Sequence, residues 1–208
     1  MGLFGRKEVC AMCGGKLPLI GTVQLANAKM CPQCRERCTQ YLTLPQRFTP
    51  DNISENMADA QENRKLYSIF APQEFPYALQ VDYQNQLFAV ATKKFLNLQK
   101  GYIFRFDELK DYSVEQDGNT IQKSGVGSAV VGGLLFGGVG LVAGGLMGHK
   151  TKETITKMSI VLKTTNKWAP EVEIKIVSSE IKKGSMTYNM VKASTEQLLQ
   201  VLDTILQK

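Results

Sequence analysis

The fold is decided by residues 104–118, which have the sequence FRFDELKDYSVEQDG. Short runs of aromatic and β-branched residues that end in turn formers are typical of β-strands. We therefore predict a short strand over Tyr102–Phe106 and a longer one over Leu109–Gln116. The tripeptide at residues 117–119, Asp-Gly-Asn, predicts a turn that ends the second strand.

Further strands are predicted on both sides of this stretch, and one helix is predicted at the end of the chain. The helix is amphipathic, begins at about Ser194 and is capped by Ser194 or Thr195. The strands are recognised by alternating or continuous apolar residues. They are predicted at residues 78–82, 86–91, 158–163 and 172–177.

A linker and a helix are predicted before these strands. Residues 44–52 contain two prolines and several turn formers, which is typical of a linker. Residues 53–70 then carry apolar side chains at helical spacing, and Ala71-Pro72 ends the pattern. We predict a helical spacer that packs one face against a neighbour.

Four cysteines near the N-terminus have the spacing of a zinc site. Cys10 and Cys13 form one Cys-x-x-Cys pair, and Cys31 and Cys34 form a second pair seventeen residues later. Two intervening residues allow a tight turn to aim both sulfurs at one ion. Four thiolates leave no position for a catalytic water, so we expect structural zinc in a module too small to fold on a core alone. A redox dithiol or an iron site would be the alternatives.

The remaining features of this module are minor. We expect no signal peptide from its N-terminal residues MGLFGRK, and all five cysteines lie within residues 10–38, which favours metal thiolates over disulfides. Residues 17–25 predict a short hairpin that ends near residues 27–30. Cys38 is predicted on a helix from about Arg35, as a small buried residue and not a ligand. The single histidine, His149, is too distant in sequence to be an expected ligand.

Positive charge is concentrated in the first forty residues. The chain of 208 residues has a formal net charge of +6, and residues 1–40 hold six basic residues against two acids. A small basic module on a nearly neutral body suggests an anionic partner, which includes nucleic acid, phospholipid headgroups or an acidic protein. Ordinary solubility charge is the alternative explanation.

These motifs resemble a known family. Residues 104–118 are similar to bacterial pleckstrin-homology-like domains, in which a strand, a phenylalanine-acid-leucine step and a second strand ending in Asp-Gly recur. The two cysteine pairs resemble zinc ribbons that precede such domains in Gram-positive bacteria and their phages. The resemblance implies an α+β fold with a zinc ribbon at residues 1–42, a linker and helix at 43–72, and a domain at 73–208. That domain is a mostly antiparallel pleckstrin-homology-like β-barrel closed by the C-terminal helix.

A glycine-rich segment interrupts this domain at residues 124–149. It has no formal charge and holds ten of the chain's 18 glycines. Small residues recur at four-residue intervals, which is the glycine-zipper spacing that allows helices to approach closely. A hairpin of two helices of about twelve residues would reach about 18 Å, roughly half of a bilayer core. The candidate residues for membrane insertion or self-association are Gly133, Gly137, Gly140, Gly144 and Gly148.

No catalytic constellation is found, and we expect no enzyme and no small-molecule substrate. The carboxylates Asp107, Glu108 and Asp111 lie at a strand junction, where turn and surface roles are commoner than acid–base pairs. We predict a cytoplasmic adaptor or effector that binds a protein partner or the inner face of the membrane, and that forms homo-oligomers through its glycines. Packing of the hairpin on protein, without lipid, is an alternative. A nucleic-acid-binding regulator that uses the basic module is the alternative from another functional class.

Overall fold

The structure is a computed structural model that describes residues 8–91, 101–124 and 153–207. These residues divide into two compact units. The first consists of residues 8–70 and 101–103, and the second of residues 71–91, 104–124 and 153–207. The three-part division at residues 42 and 72 that the sequence suggests stays a prediction.

The first unit contains the cysteine module and one long helix. Its regular elements are β1 (Val23–Gln24), β2 (Lys29–Met30), α1 (Pro32–Glu36) and α2 (Pro50–Lys65), with single 3-10 turns at Pro45–Arg47 and Leu66–Ser68.

The hairpin of the cysteine module lies later in the chain than predicted. Strands β1 and β2 are antiparallel, and the Leu25 N–H donates to the Ala28 carbonyl at 2.8 Å to close the turn. Residues 17–22 form a loop instead of a first strand. The first half of the predicted hairpin at residues 17–25 was therefore wrong, because the turn lies around Asn27 and only residues 23–24 pair across it.

Helix α1 also differs from its prediction. It begins at Pro32, which takes the first helical position directly after Cys31. It ends at Glu36, so Cys38 lies beyond the helix and not on it.

Helix α2 begins three residues earlier and ends five residues earlier than predicted. Thr49 caps it, since Asn52 N donates to Thr49 Oγ1 at 3.5 Å and Thr49 N donates to Asn52 Oδ1 at 3.2 Å. This reciprocal capping box fixes the start, and Pro50 follows at the first helical position. The apolar residues Ile53, Met57 and Ala60 of the predicted stripe are buried.

Two asparagines on the buried side of α2 hold the first unit together. Asn63 pairs with the backbone of Ile103, donating from Nδ2 at 2.6 Å and accepting at Oδ1 at 3.0 Å. Asn56 makes the equivalent pair of bonds with the backbone N–H and the hydroxyl of Thr39 at 2.9 and 3.0 Å. Buried amides that are fully paired in this way fix the helix orientation without an unsatisfied group.

Two four-stranded sheets form the body of the chain. The strands of the first sheet are β3 (Gln73–Glu74), β4 (Leu79–Asp82), β5 (Leu87–Val90) and β6 (Ile103–Arg105). Those of the second are β7 (Leu109–Gln116), β8 (Asn119–Lys123), β10 (Met158–Thr164) and β11 (Glu171–Val177). The first sheet has the order β3-β4-β5-β6, and the second has the order β11-β10-β7-β8 with every neighbouring pair antiparallel. The short strands β9 (Thr154–Ile155) and β12 (Ile181–Lys182) pair with each other.

The sequence around residues 104–118 folds largely as predicted. Strand β7 has the predicted bounds, and Asp117 and Gly118 both have positive φ, at 49° and 87°. Gln116 and Asn119 are paired across this two-residue turn. Two consecutive positive φ values give the turn geometry that matches the twist of a hairpin, so the chain continues into β8, which the sequence did not reveal.

The C-terminal helix begins at Met186 and extends to Leu206, so the predicted start at Ser194 was wrong. Ser185 is the cap, and its hydroxyl accepts from Tyr188 N at 3.2 Å. Thr195 instead lies inside the helix, fully buried, and donates its hydroxyl to the Val191 carbonyl at 2.7 Å. This bond satisfies the Thr195 hydroxyl within the helix, and the N-terminal cap is provided by Ser185 instead.

Apolar faces of the second sheet and the C-terminal helix meet in one core. On β11 the buried Val172 and Ile174 alternate with exposed charged residues, and Ile160 and Leu162 of β10 are buried too. The helix residues Leu198, Leu199, Leu202 and Ile205 are also buried. Tyr112 on β7 donates its hydroxyl to Asp203 Oδ1 on the helix at 2.6 Å.

The predicted fold class is confirmed: the chain is α+β, with mostly antiparallel sheets and a C-terminal helix. In the described ranges the strands form separate sheets and no closed ring. No helix among those residues combines the length and apolar character needed to cross a bilayer.

Candidate functional site

The four predicted ligand cysteines lie together. The Sγ atoms of Cys10, Cys13, Cys31 and Cys34 are all within 4.8 Å of one another, and those of Cys13 and Cys31 are 3.9 Å apart. Sulfurs bound to one zinc at about 2.3 Å in a tetrahedron are about 3.8 Å apart. Three of the four cysteines are buried, and Cys13 is exposed. The donor set and its spacing therefore fit a zinc ion.

Two different local structures position the two cysteine pairs. The first pair lies in a tight turn, where Gly14 N donates to the Cys10 carbonyl at 2.8 Å and Gly14 has a φ of +70°. Glycine adopts this conformation at no steric cost, as the sequence suggested. The second pair lies at the start of α1, where Cys31 is the N-cap and Cys34 lies in the first turn.

Two of the thiols have pKa values shifted in opposite directions. Burial disfavours the thiolate of Cys10, but the N–H groups of Cys31 and Met12 donate to its sulfur at 3.3 and 3.4 Å and lower its pKa to about 6. Burial raises the pKa of Cys34, and the crowded neighbouring sulfurs raise it further. Four thiolates in one cluster repel one another, and a metal cation bound between them would stabilise all four in the deprotonated form.

Cys38 lies outside this cluster. It is buried, and its thiol is 3.6 Å from the Cys34 carbonyl, which accepts its weak hydrogen bond. Burial raises the pKa of this thiol. The prediction that Cys38 is a small buried residue is confirmed.

The carboxylates at the strand junction have structural partners. Glu108 Oε2 accepts from the Arg105 N–H at 2.7 Å, and Oε1 accepts from Asn166 Nδ2 at 3.0 Å. Asp111 accepts from the hydroxyl of Ser124. These contacts fix the turn and the sheet edge, which are structural roles.

A shallow depression of about 520 Å³ lies on the second sheet. It is lined by Ser113, Thr120, Val161, Lys163 and three glutamates, Glu115, Glu171 and Glu173. It contains no histidine or cysteine, and its mixed charge selects no ligand class.

One exposed apolar feature of the cysteine module was not predicted from the sequence. Leu19 and Ile20 are 104% and 88% exposed, and they lie at the tip of the loop between the two cysteine pairs. Two adjacent aliphatic residues between Pro18 and Gly21 were the available signal, because turn formers on both sides predict a loop.

The glycine-zipper candidates Gly133, Gly137, Gly140, Gly144 and Gly148, together with His149, lie outside the described residues.

Comparison with known proteins gives one finding for the body of the chain. Residues 62–178, more than half of the chain, match the family model described as a glycine zipper containing PH domain. The matched range includes the uncharged glycine-rich segment. No curated protein and no solved structure gave a significant match. A domain of this kind is in general a non-catalytic module that binds protein or lipid.

Proposed function

The chain belongs to the family of glycine-zipper-containing PH domains, and we propose that it is a non-enzymatic adaptor or effector that binds a membrane surface or a protein partner. The observation that carries this proposal is the match of one continuous range that includes both the sheets and the glycine-rich segment. The PH-like domain would bind the partner, and the uncharged glycine-rich segment would attach the protein to a membrane or to a second copy.

Zinc is the proposed cofactor, with a structural role. Cys10, Cys13, Cys31 and Cys34 would be its ligands, as their mutual distances and sulfur chemistry support. A site closed by four protein ligands holds the module in shape and does not activate water. We therefore expect the function of this module to lie in the surface that the metal would stabilise.

The glycine-rich segment is the proposed site of anchoring and self-association. Its spacing of small residues, Gly133, Gly137, Gly140, Gly144 and Gly148, supports close helix contacts. Lys123 precedes the segment and Lys150 follows it, as expected for a hairpin whose two ends stay on the cytoplasmic side. The protein would then act at the inner face of a membrane, in a Gram-positive bacterium or as a phage product directed at host or defence machinery.

Flotation of the full chain with liposomes tests the anchoring. Vesicles carry the intact protein upward in a density gradient, and a variant that lacks residues 125–148 stays at the bottom. A variant with Gly133, Gly137, Gly140, Gly144 and Gly148 all changed to leucine keeps an apolar segment but removes the close helix contacts. It separates lipid affinity from self-association, which is measured by light scattering. Absence of the intact chain from the floating fraction would contradict the anchoring proposal.

Nucleic-acid binding is the second candidate, and the side-chain contacts of the basic module do not favour it. Lys29 pairs with Glu8 at 2.6 Å, and Arg35 donates to the carbonyls of Thr39 and Leu42. These cations stabilise the module itself. Binding to an oligonucleotide that weakens steeply with added salt, without binding to liposomes, would reverse this preference.

A further inference from the structure

The loop at residues 17–22 of the cysteine module is built to present two aliphatic side chains to its surroundings. Leu19 is 104% and Ile20 is 88% exposed, the two highest values among the exposed large apolar residues of the described chain. Such values mean that neither side chain packs on the part of the protein that the structure describes. Exposed apolar groups at one point are costly in water, and they mark a contact site more often than scattered ones do.

The loop is held in this conformation by the cysteine module. Thr22 donates its hydroxyl to the Pro18 carbonyl at 2.8 Å, which closes the loop across Leu19 and Ile20. Gly21 has a φ of +83°, and a Cβ added there would lie 3.0 Å from Cγ of Pro32. Pro32 lies between two of the metal-site cysteines, so the loop rests on the segment that the metal would fix. An ordered loop loses little conformational entropy when its tip becomes buried.

The acidic residue beside the loop, Glu8, is paired with Lys29 at 2.6 Å, and the remaining described charge there is positive. Lys16 immediately precedes the loop, is exposed, and forms no ion pair in the ranges that the structure describes. The first forty residues carry four more basic than acidic side chains. An exposed apolar tip with a free cation at its base matches the two layers of an anionic bilayer, the acyl chains and the headgroups.

We propose that Leu19 and Ile20 insert into the interface of an anionic phospholipid bilayer, with Lys16 at the headgroups. This inference rests on the proposed function, because it supplies a second contact to the same membrane surface. The tip is a convex pair of aliphatic groups without an aromatic residue, whereas binding hot spots between proteins are dominated by tryptophan, tyrosine and arginine. Stable membrane attachment also takes two weak signals, and the glycine-rich segment and this loop would be the two.

The first test is flotation of the full chain on vesicles of phosphatidylcholine and phosphatidylglycerol in equal parts. The double variant Leu19→Ser/Ile20→Ser is expected to lose affinity by about tenfold or more, since two buried aliphatic side chains contribute at least that factor. Met186→Ser/Met190→Ser is the matched control, because it removes two apolar side chains that are 81% and 64% exposed on the C-terminal helix. Equal affinity of the loop variant and the wild type would overturn the proposal.

The second test reports on the loop itself. The chain has one tryptophan, Trp168, which is buried, so Leu19→Trp adds a single exposed reporter. Its emission is expected to shift to shorter wavelength with these vesicles and much less with phosphatidylcholine alone, and Lys16→Glu should reduce the shift. The wild type gives the background of Trp168.

These readouts separate the failure of this inference from failure of the proposed anchoring. If the chain floats but the Leu19→Trp emission does not shift, the loop does not meet lipid and only the glycine-rich anchor stands. If the shift persists in a Leu19→Trp variant without residues 125–148, the loop binds lipid even where the proposed anchor is absent. If the chain neither floats nor shifts, both proposals are wrong.

Discussion

At the scale of single residues, the cysteines show how much a side chain's role depends on its neighbours. Cys34 and Cys38 are four positions apart, and both are buried. Only Cys34 lies within reach of three other sulfurs, and Cys38 contacts a backbone carbonyl instead. The same residue type at a similar degree of burial thus gives a ligand candidate in one case and a packing residue in the other.

This contrast gives a matched pair of variants for the metal. Cys34→Ser is expected to lower the bound zinc well below one ion per chain, because a neutral hydroxyl replaces one of four thiolates. Cys38→Ser should retain the zinc of the wild type at a small cost in stability. Metal analysis of both purified proteins checks the prediction, and equal zinc in the two would refute the assignment.

Asp82 is a buried carboxylate with a pH-dependent contribution to stability. Burial disfavours its charge, but bonds from the Asn85 side chain and from the N–H groups of Ala71 and Asn85, at 2.8 to 3.0 Å, outweigh burial and lower its pKa. A carboxylate whose pKa is lower in the folded state stabilises the fold above its unfolded pKa of about 4. That contribution is lost as the pH falls through the folded value.

Asp82→Asn should therefore lower the free energy of unfolding at neutral pH, by about 1–3 kcal/mol. It should also flatten the loss of stability that the wild type shows below about pH 4. Urea unfolding at several pH values measures both effects. Asp107→Asn, which removes an exposed carboxylate, is the control and should change the neutral-pH value little. The same pH profile for Asp82→Asn and the wild type would contradict this account.

At the scale of elements, the sequence predicts the long strands and misses the short strands that form only by pairing with a distant part of the chain. Strand β7 could be predicted to the residue because its eight residues carry their own pattern and end in Asp-Gly. Strand β9 has two residues, and pairing with β12 from a distant part of the chain creates it. The start of α2 was missed because its capping box uses Asn52 where the familiar signal has Glu or Gln.

Gly21 and Gly118 form a matched pair that tests whether the loop at residues 17–22 rests on Pro32. Gly21 and Gly118 have nearly equal φ values, +83° and +87°, so alanine strains both backbones alike, by about 1 kcal/mol. Only at Gly21 would the new Cβ also press on Pro32, since nothing lies within 4 Å at Gly118. Gly21→Ala should speed zinc loss to a chelator, and Gly118→Ala should leave that rate unchanged. Equal rates would show that the loop does not rest on the metal site.

At the scale of the whole molecule, the clustering of the four cysteines and the fold class could be predicted from the sequence, and the exposure of Leu19 and Ile20 could not. Cys10, Cys13, Cys31 and Cys34 are recognisable because a thiolate site needs fixed local spacing. Leu19 and Ile20 are ordinary apolar residues by composition. Their importance depends on exposure, which is a property of the folded chain.

The cluster of four cysteines in a basic module, the PH-like body and the uncharged glycine segment together support the proposal that the protein acts at a membrane surface. A metal site closed by four thiolates would have no catalytic position, and PH-like domains are in general binding modules. Both features suggest that the protein acts through its binding surfaces. The two proposed contacts, the glycine-rich segment and the loop of Leu19 and Ile20, would be weak singly and stable together.

The most direct test is the share of the native protein that sediments with membranes after gentle lysis, with zinc measured in the same fraction. If the two proposed contacts hold the protein on a membrane, most of it should sediment with the membranes and be released by detergent. It should also carry about one zinc ion per chain. Recovery of the protein in the soluble fraction, at low and at physiological salt, would contradict it.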